Sequence, residues 1–244
     1  MQKKLKFFVL LITYSLIINT SFSQEKVQLL SEADSLFESG SYTKSLNLYK
    51  RLIKQEGAYT PKMLLNMAFI TQAEGAYAEA LYYLNLYYKH TSDRSVLEKM
   101  ETLAQDNNLS GYTFTDYEYF SNVFHKYKLV FFSIGALLIL VTLGLSIYKK
   151  QRKENALIPF IFLILFSIGN LWLFNLGFQR TYGIVQTVNL YGTDSPSAGG
   201  KRIQKLQEGD RILLGNTKDI WYKAEVDEQF FYVRKNNLLI VNGE

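Results

Sequence analysis

Ser41 and Lys44 stand at the spacing Ser-x-x-Lys, in which a lysine amine one helical turn away activates a serine hydroxyl for attack on a carbonyl. The companion motifs of that enzyme class do not occur in the chain, and Ser41 sits where a helix start calls for a capping hydroxyl. The two histidines, His90 and His125, each lie near an expected helix end, with no second histidine or acid at metal-ligand spacing. With 0 cysteines, the sequence excludes disulfides, thiolate metal sites, a cysteine nucleophile and a lipidated N-terminal cysteine, while leaving the redox compartment open. No GxxxxGK[ST] phosphate loop is present. The sequence therefore names no catalytic residue, no metal ligand and no cofactor, and the chain is expected not to be an enzyme.

Charge narrows the field further. The net charge of +5 invites a nucleic-acid reading, but its sources are local. Setting aside Lys3, Lys4 and Lys6, and the net +3 of Lys149, Lys150, Arg152, Lys153 and Glu154, leaves −1 for the rest of the chain. No basic face remains to grip phosphates, and nucleic acid is excluded as a partner. The basic residues flank apolar runs and read as membrane-orientation signals.

Those apolar runs fall at residues 5–18, 129–148 and 156–178. The first, behind the cationic MQKKLK, is short and is followed by small residues in SFS, so residues 1–23 read as a signal peptide cut before Gln24. An uncleaved signal anchor is the alternative. Residues 129–148 and 156–178 carry no charge and are long enough to cross a hydrocarbon layer about 30 Å thick. Pro159 lies in the first turn of the second span, where proline costs least. Residues 149–155 between them are rich in cations, which places that turn in the cytoplasm by the positive-inside rule. The signal peptide independently exports residues 24 onward, so residues 24–127 and 179–244 are expected on one side, outside. Asn170, Trp172 and Asn175 lie on the second span and suit contacts across the hairpin or at the interface better than an ion path, since neither span holds an ionisable residue.

Residues 24–110 carry an internal repeat. Gly40/Gly75, Tyr42/Tyr77, Ser45/Ala80, Leu46/Leu81 and Ala33/Ala68 correspond at an offset of 35. The glycines suit helix C-termini. Tyr42, Ser45, Leu46, Tyr49, Leu52 and Ile53 share one helical face. Thr60 and Pro61 suit a cap and first turn, Ser92 is expected to start a further helix, and Val96, Leu97, Met100, Leu103 and Ala104 form its apolar stripe. These residues resemble the tetratricopeptide family over about residues 27–106, with Ser45 standing where the pattern prefers alanine. The resemblance implies paired helices and a concave groove lined by the first helix of each pair. By position, the groove candidates are Leu30, Asp34, Phe37, Leu65, Phe69 and Gln72, several of which are alternatively packing residues. Two repeats and a capping helix fall below the usual minimum of about three, so a partner or the membrane is expected to help stabilise the stack. Residues 111–128 place Tyr117, Phe120, Phe124 and Tyr127 on one helical face, an aromatic interfacial linker.

From Tyr182 the texture changes to short alternating runs separated by turn signals, as in a small β-barrel or sandwich of five or six strands, with Ile212, Leu214, Ala224, Val226 and Val233 in its core. Residues 179–244 resemble bacterial SH3-like domains in the segments Val185–Tyr191, Leu206–Asp210, Trp221–Ala224 and Tyr232–Val233. Phe231 replaces the usual glycine of the last motif. The resemblance makes Tyr191, Trp221 and Tyr222 a candidate ligand surface, although such a tryptophan commonly covers a core edge.

The expected fold is thus a multidomain membrane protein: all-α tetratricopeptide repeats, a transmembrane α-helical hairpin and a small all-β SH3-like barrel. That order of parts resembles the BatE-like family of the Bacteroides aerotolerance operon. The leading reading is a non-enzymatic assembly scaffold with both soluble domains on the periplasmic side, and the resemblance implies an envelope protein of a Gram-negative inner membrane. It also implies partnership with von Willebrand A-domain membrane proteins and, indirectly, a MoxR-type ATPase. An envelope sensor or wall-binding module acting through the SH3-like domain is the alternative.

Overall fold

The computed structural model describes residues 25–57, 59–175, 180–226 and 229–241. The expected signal peptide and its cleavage point lie outside these residues. Residues 25–38 form α1, followed by α2 Tyr42–Glu56, α3 Pro61–Ala73, α4 Tyr77–Thr91 and α5 Ser95–Asp106. The 35-residue offset is visible in the backbone. Gly40 and Gly75 each turn through φ +77°, and the amides of Ser41 and Ala76 donate to the carbonyls of Leu36 and Thr71. Both helix ends are therefore closed by the same left-handed turn, which glycine adopts without a steric cost.

Small residues let the helices approach closely. Ala33, Ala68 and Ala80 are fully buried, and so is Ser45, the repeat position where alanine would be usual. Its hydroxyl donates to the Ala33 carbonyl at 2.8 Å, which satisfies a polar group that burial would otherwise penalise. Tyr49, Leu64, Met67, Leu81, Leu84 and Met100 fill the space between helices. At the start of α3, Thr60 Oγ1 accepts from the Met63 amide and Pro61 occupies the first turn. Two expected caps differ. Ser41 makes no side-chain bond to its helix, and Ser92 ends α4 in a left-handed turn (φ 60°) instead of starting α5. Asp93 takes that starting role, accepting from both the amide and the hydroxyl of Ser95, and these bonds hold its carboxyl below the usual range.

After α5 the chain crosses to α6 Asp116–Lys126 and, past the single residue Tyr127, enters α7 Lys128–Gln151. A turn with Lys153 at φ 55° leads back into α8 Leu157–Asn175. The two helices are long and apolar enough to cross a membrane and pack side by side as an antiparallel hairpin. Gly135 lies under the Asn170 amide, where an added Cβ would stand 2.4 Å from Nδ2. Phe132 and Phe174 meet edge to face at 5.3 Å near the end of the hairpin that joins α6.

The C-terminal region is one antiparallel sheet of 7 strands in the order β3-β2-β6-β5-β4-β1-β7. The strands are β1 Thr181–Val185, β2 Leu190–Thr193, β3 Arg202–Leu206, β4 Arg211–Lys218, β5 Trp221–Val226, β6 Gln229–Arg234 and β7 Leu238–Val241. Against the five or six strands expected there are 7, and Asn189 at φ 55° turns the chain between β1 and β2 within the segment Val185–Tyr191. The expected closed barrel is instead an open sheet, with β3 and β7 at its two edges. One physical reason lies at β7, where α4 approaches and Lys89 Nζ donates to the Val241 carbonyl at 2.9 Å. Ile212, Leu214, Ala224 and Val233 are buried as their alternation suggests, whereas Val226 is only partly so. Phe231 is fully buried over Gly192, where an added Cβ would sit 2.3 Å from its ring.

Sheet and helices share a core. Ile184 and Val241 belong to the same buried cluster as Leu84, Tyr88 and Met100, with Leu239 packed against it. The helical array, short of three repeats, is thus covered by the chain's own C-terminal sheet.

Candidate functional site

No group of three or more His, Asp or Glu side chains suited to a metal ion occurs among the described residues. Three side-chain clusters stand out in the fold, and the first lies on α1 and α3. Phe37 and Phe69 meet edge to face with centroids 5.8 Å apart, and Tyr42, the first residue of α2, joins them at 5.4 and 5.8 Å. Phe69 is 48% exposed and Tyr42 41%, while Phe37 packs partly against the helical core. Leu65, one turn before Phe69 on α3, is also open to solvent. Tyr42 is the residue that sequence reasoning missed: it fits the buried stripe of α2 by spacing, but stands at the helix's first turn, beyond the layer below.

Asp34 lies one turn before Phe37 and anchors a polar cluster. One carboxylate oxygen accepts from Tyr49 OH at 2.5 Å, and the other meets Lys62 Nζ at 3.1 Å. Asn66 donates to the same Tyr49 oxygen at 3.0 Å, and Glu38 lies 3.4 Å from Lys62. Burial, then the bond to Asp34, raises the Tyr49 phenol above its usual value. The hydrogen bond to Asp34, then its charge, raises Lys62. The Asp34 carboxylate is thus fixed by internal partners and edges the aromatic surface with charge. Leu30 packs partly into the core. Gln72, one turn after Phe69, lines a polar groove of about 380 Å³ with Glu98, Lys99, Thr102 and Asp106 of α5. The structure therefore joins Phe37 and Phe69, keeps Asp34 and Leu65 nearby, and sets Gln72 and Leu30 among other neighbours.

In the sheet, Trp221 is 9% exposed, Tyr222 is half-buried and Tyr191 is open to solvent. Trp221 and Tyr222 are consecutive strand residues, which point to opposite faces, and β6 lies between β5 and β2, the strand of Tyr191. Each ring has its own cation: Arg202 beside Tyr191 at 5.0 Å, Arg234 beside Trp221 at 5.1 Å, and Lys235 beside Tyr222 at 5.5 Å.

A third region, absent from any sequence signal, is the seam between helices and sheet. Arg211 at the start of β4 is almost fully buried, yet its Nη1 donates to the Gly111 carbonyl and its Nη2 to Glu118 Oε2 of α6, at 3.0 and 3.2 Å. Its guanidinium lies 3.5 Å from the Tyr182 ring centroid and 4.8 Å from that of Phe114. Tyr182 OH donates to the other Glu118 oxygen. The Ser110 amide donates to Asp210 at 2.8 Å, and Tyr112 OH donates to the Gly209 carbonyl at 2.7 Å. Burial pushes the Tyr182 phenol up to about 12, with neighbouring Arg211 opposing the shift. Burial also raises Tyr112. On the far side, Asn122 and Lys126 of α6 donate to the Tyr88 and Thr91 carbonyls in the last turn of α4; the Tyr88 carbonyl also accepts from the Ser92 amide. The linker helix is a clamp between the two domains as well as an aromatic surface. Glu118 and Arg211 are 93 residues apart, so no local pattern could have paired them.

Comparison of the chain with protein-family models, with curated proteins and with solved structures finds no match in any of the three.

Proposed function

We propose that the chain is a non-enzymatic scaffold of the inner membrane that presents one rigid extracytoplasmic module to partner proteins. The hairpin of α7 and α8 is its anchor. The seam makes the helical repeats and the sheet, read as tetratricopeptide-like and SH3-like domains, move as a unit at one end of that hairpin. The carrying observation is the cluster of Phe37, Tyr42 and Phe69, three mutually packed rings of which two are more than a third open to water. Pre-packed aromatics beside fixed charge are what interface anchors are made of, since little conformational freedom remains to be lost on binding. The resemblance to the aerotolerance operon family supplies the partner class: membrane proteins with von Willebrand A domains, acting in envelope stress with a MoxR-type ATPase behind them.

A photo-crosslinking residue in place of Phe69, in the full-length protein in cells, tests this reading. Crosslinks to von Willebrand A-domain membrane proteins, lost when Phe37 is also replaced by alanine, are the expected result. Crosslinks confined to a site at Tyr191, or recovery of the protein on wall material, would move the function to the sheet.

A further inference from the structure

Where α4, α6 and β1 meet beside the hairpin there is a cavity of about 60 Å³. Lys89, Arg180 and Arg211 line it, with Glu118 as the carboxylate among its lining residues. Glu118 is already engaged by Arg211 and Tyr182, so the charges of Lys89 and Arg180 are not balanced by an acid within the lining. Lys89 donates instead to a neutral carbonyl, that of Val241, and desolvation followed by the nearby Arg211 charge depresses its pKa. An ammonium held this way gains from an anion, because the field of two cations is otherwise uncompensated. Two further buried polar atoms, Tyr88 OH and Arg211 Nε, belong to lining residues and have no hydrogen-bond partner among the described residues. Buried donors of this kind are uncommon unless something occupies the space beside them.

A second, almost wholly apolar cleft of about 300 Å³ adjoins this cavity and shares Tyr117 and Ser121 with it. Its other walls are Phe120, Val123 and Phe124 of α6 and Phe131 of α7. Phe131 lies in the first turn of the hairpin helix, and Phe124 stacks on it at 5.5 Å. Arg180, at the mouth of the cationic cavity, follows closely on α8 and sits 5.0 Å from the Tyr117 ring. A donor-lined cationic cavity thus shares walls with an apolar cleft beside the first turn of α7.

We infer that this paired site binds one phospholipid with net negative charge, its phosphodiester drawn to Lys89 and Arg180 and an acyl chain lying along Phe120, Phe124 and Phe131. The shape of the site selects the occupant. A soluble anion would leave the apolar cleft empty, and an uncharged lipid would leave the two cations unbalanced. The inference rests on the reading of α7 and α8 as membrane spans and is independent of the groove at Phe69.

Delipidated full-length protein in detergent, examined by native mass spectrometry with phosphatidylglycerol or phosphatidylcholine of identical acyl chains, provides the test. The expected result is about tenfold preferential retention of phosphatidylglycerol, because phosphatidylcholine carries the same phosphodiester but brings a trimethylammonium cation beside Lys89 and Arg180. Arg180→Gln, at an exposed position, should remove most of that preference, and Lys89→Gln should do likewise. Phe120→Gln should weaken both lipids together. Equal retention of the two lipids by the unaltered protein, or a preference that survives both cation substitutions, overturns the assignment. Displacement of phosphatidylglycerol by excess inorganic phosphate would make the cavity a free-anion site and overturn it as well. Alkaline carbonate extraction of cell membranes separates the premises: release of the protein removes the spans and the lipid site together, whereas firm retention without lipid preference defeats the lipid site alone.

Discussion

The groove and the seam are assembled from similar parts, aromatic rings beside opposite charges, and differ in their access to water. At the groove, Tyr42 and Phe69 expose two-fifths to one-half of their surface, and Lys62, which meets Asp34, is well hydrated. At the seam, Arg211 and Glu118 have side chains only 5% and 12% exposed, and Tyr182 and Gly111 supply further hydrogen bonds. Ion pairs of the first kind contribute about 0–1 kcal/mol, because water competes for both partners. In the second kind each charge depends on the other, since neither can be hydrated if its partner is lost. One cluster is therefore open to water, and the other is closed between the helices and the sheet.

The largest effect expected from that difference is at Glu118. Glu118→Ala leaves the Arg211 guanidinium buried without its carboxylate and should cost about 3–5 kcal/mol, seen as a lowered melting temperature and faster proteolysis after Leu109. Lys62→Ala removes the groove's ion pair and should cost less than about 1 kcal/mol. Similar losses from the two substitutions would erase the distinction between the regions.

Two glycines sharpen it without changing charge. Gly111 at the seam and Gly40 beside the groove both have positive φ, +86° and +77°. A Cβ at Gly111 would stand 1.8 Å from the Arg211 carbonyl oxygen, whereas at Gly40 it would meet nothing within 4 Å. Gly40→Ala should cost about 1–2 kcal/mol, the left-handed backbone penalty alone. Gly111→Ala adds a backbone collision and should cost roughly 3 kcal/mol or more, measured as denaturant midpoints of the detergent-solubilised proteins. Equal shifts would mean that the seam opens to accommodate the methyl group.

What could be read from the sequence follows the same division. Periodicity reports burial within one element, and so the 35-residue offset, the stripe from Val96 to Ala104 and the alternation around Ile212 and Ala224 carried into the fold. Gly40 and Gly75 were legible because a left-handed turn leaves few other choices of residue. The seam was not legible, because Arg211, Glu118 and Tyr182 sit in three separate segments and each alone reads as an ordinary surface residue. The open edge at β7 was hidden for a related reason: strand alternation says which face is buried, and nothing about which edge a distant helix approaches. Ser92 and Asp93 show the limit at single-residue scale, since either side chain suits a helix start and only the chain's path chose Asp93. At the ring cluster, matching to the repeat pattern picked out Phe37 and Phe69, but Tyr42 fits the apolar stripe of α2 by spacing, and only the fold shows its ring against those two.

A small stability effect is expected at Phe69, and it bears most directly on function. A phenylalanine truncated to alanine in a closed core costs about 3–5 kcal/mol. Phe69 is 48% exposed, so Phe69→Ala should cost only about 1–2 kcal/mol of stability by the same scale. An aromatic anchor at an interface loses about 2 kcal/mol or more of binding when truncated, so crosslinking to a partner from a photo-reactive residue placed at the neighbouring exposed Leu65 should fall severalfold while the melting temperature moves little. Phe37→Ala provides the internal contrast, because that ring also packs against the helical core and should lose stability and binding together. Tyr42→Ala, at a ring 41% exposed and touching both phenylalanines, should behave like Phe69→Ala. Melting of the purified full-length variants, set beside crosslinking yield in cells, separates the outcomes. If Phe69→Ala melts as low as Glu118→Ala, the three rings are closed to water in the working protein, and the groove is a second seam. If it melts normally and crosslinking is undiminished, the rings are exposed without being used, and partner recognition must lie elsewhere on the module.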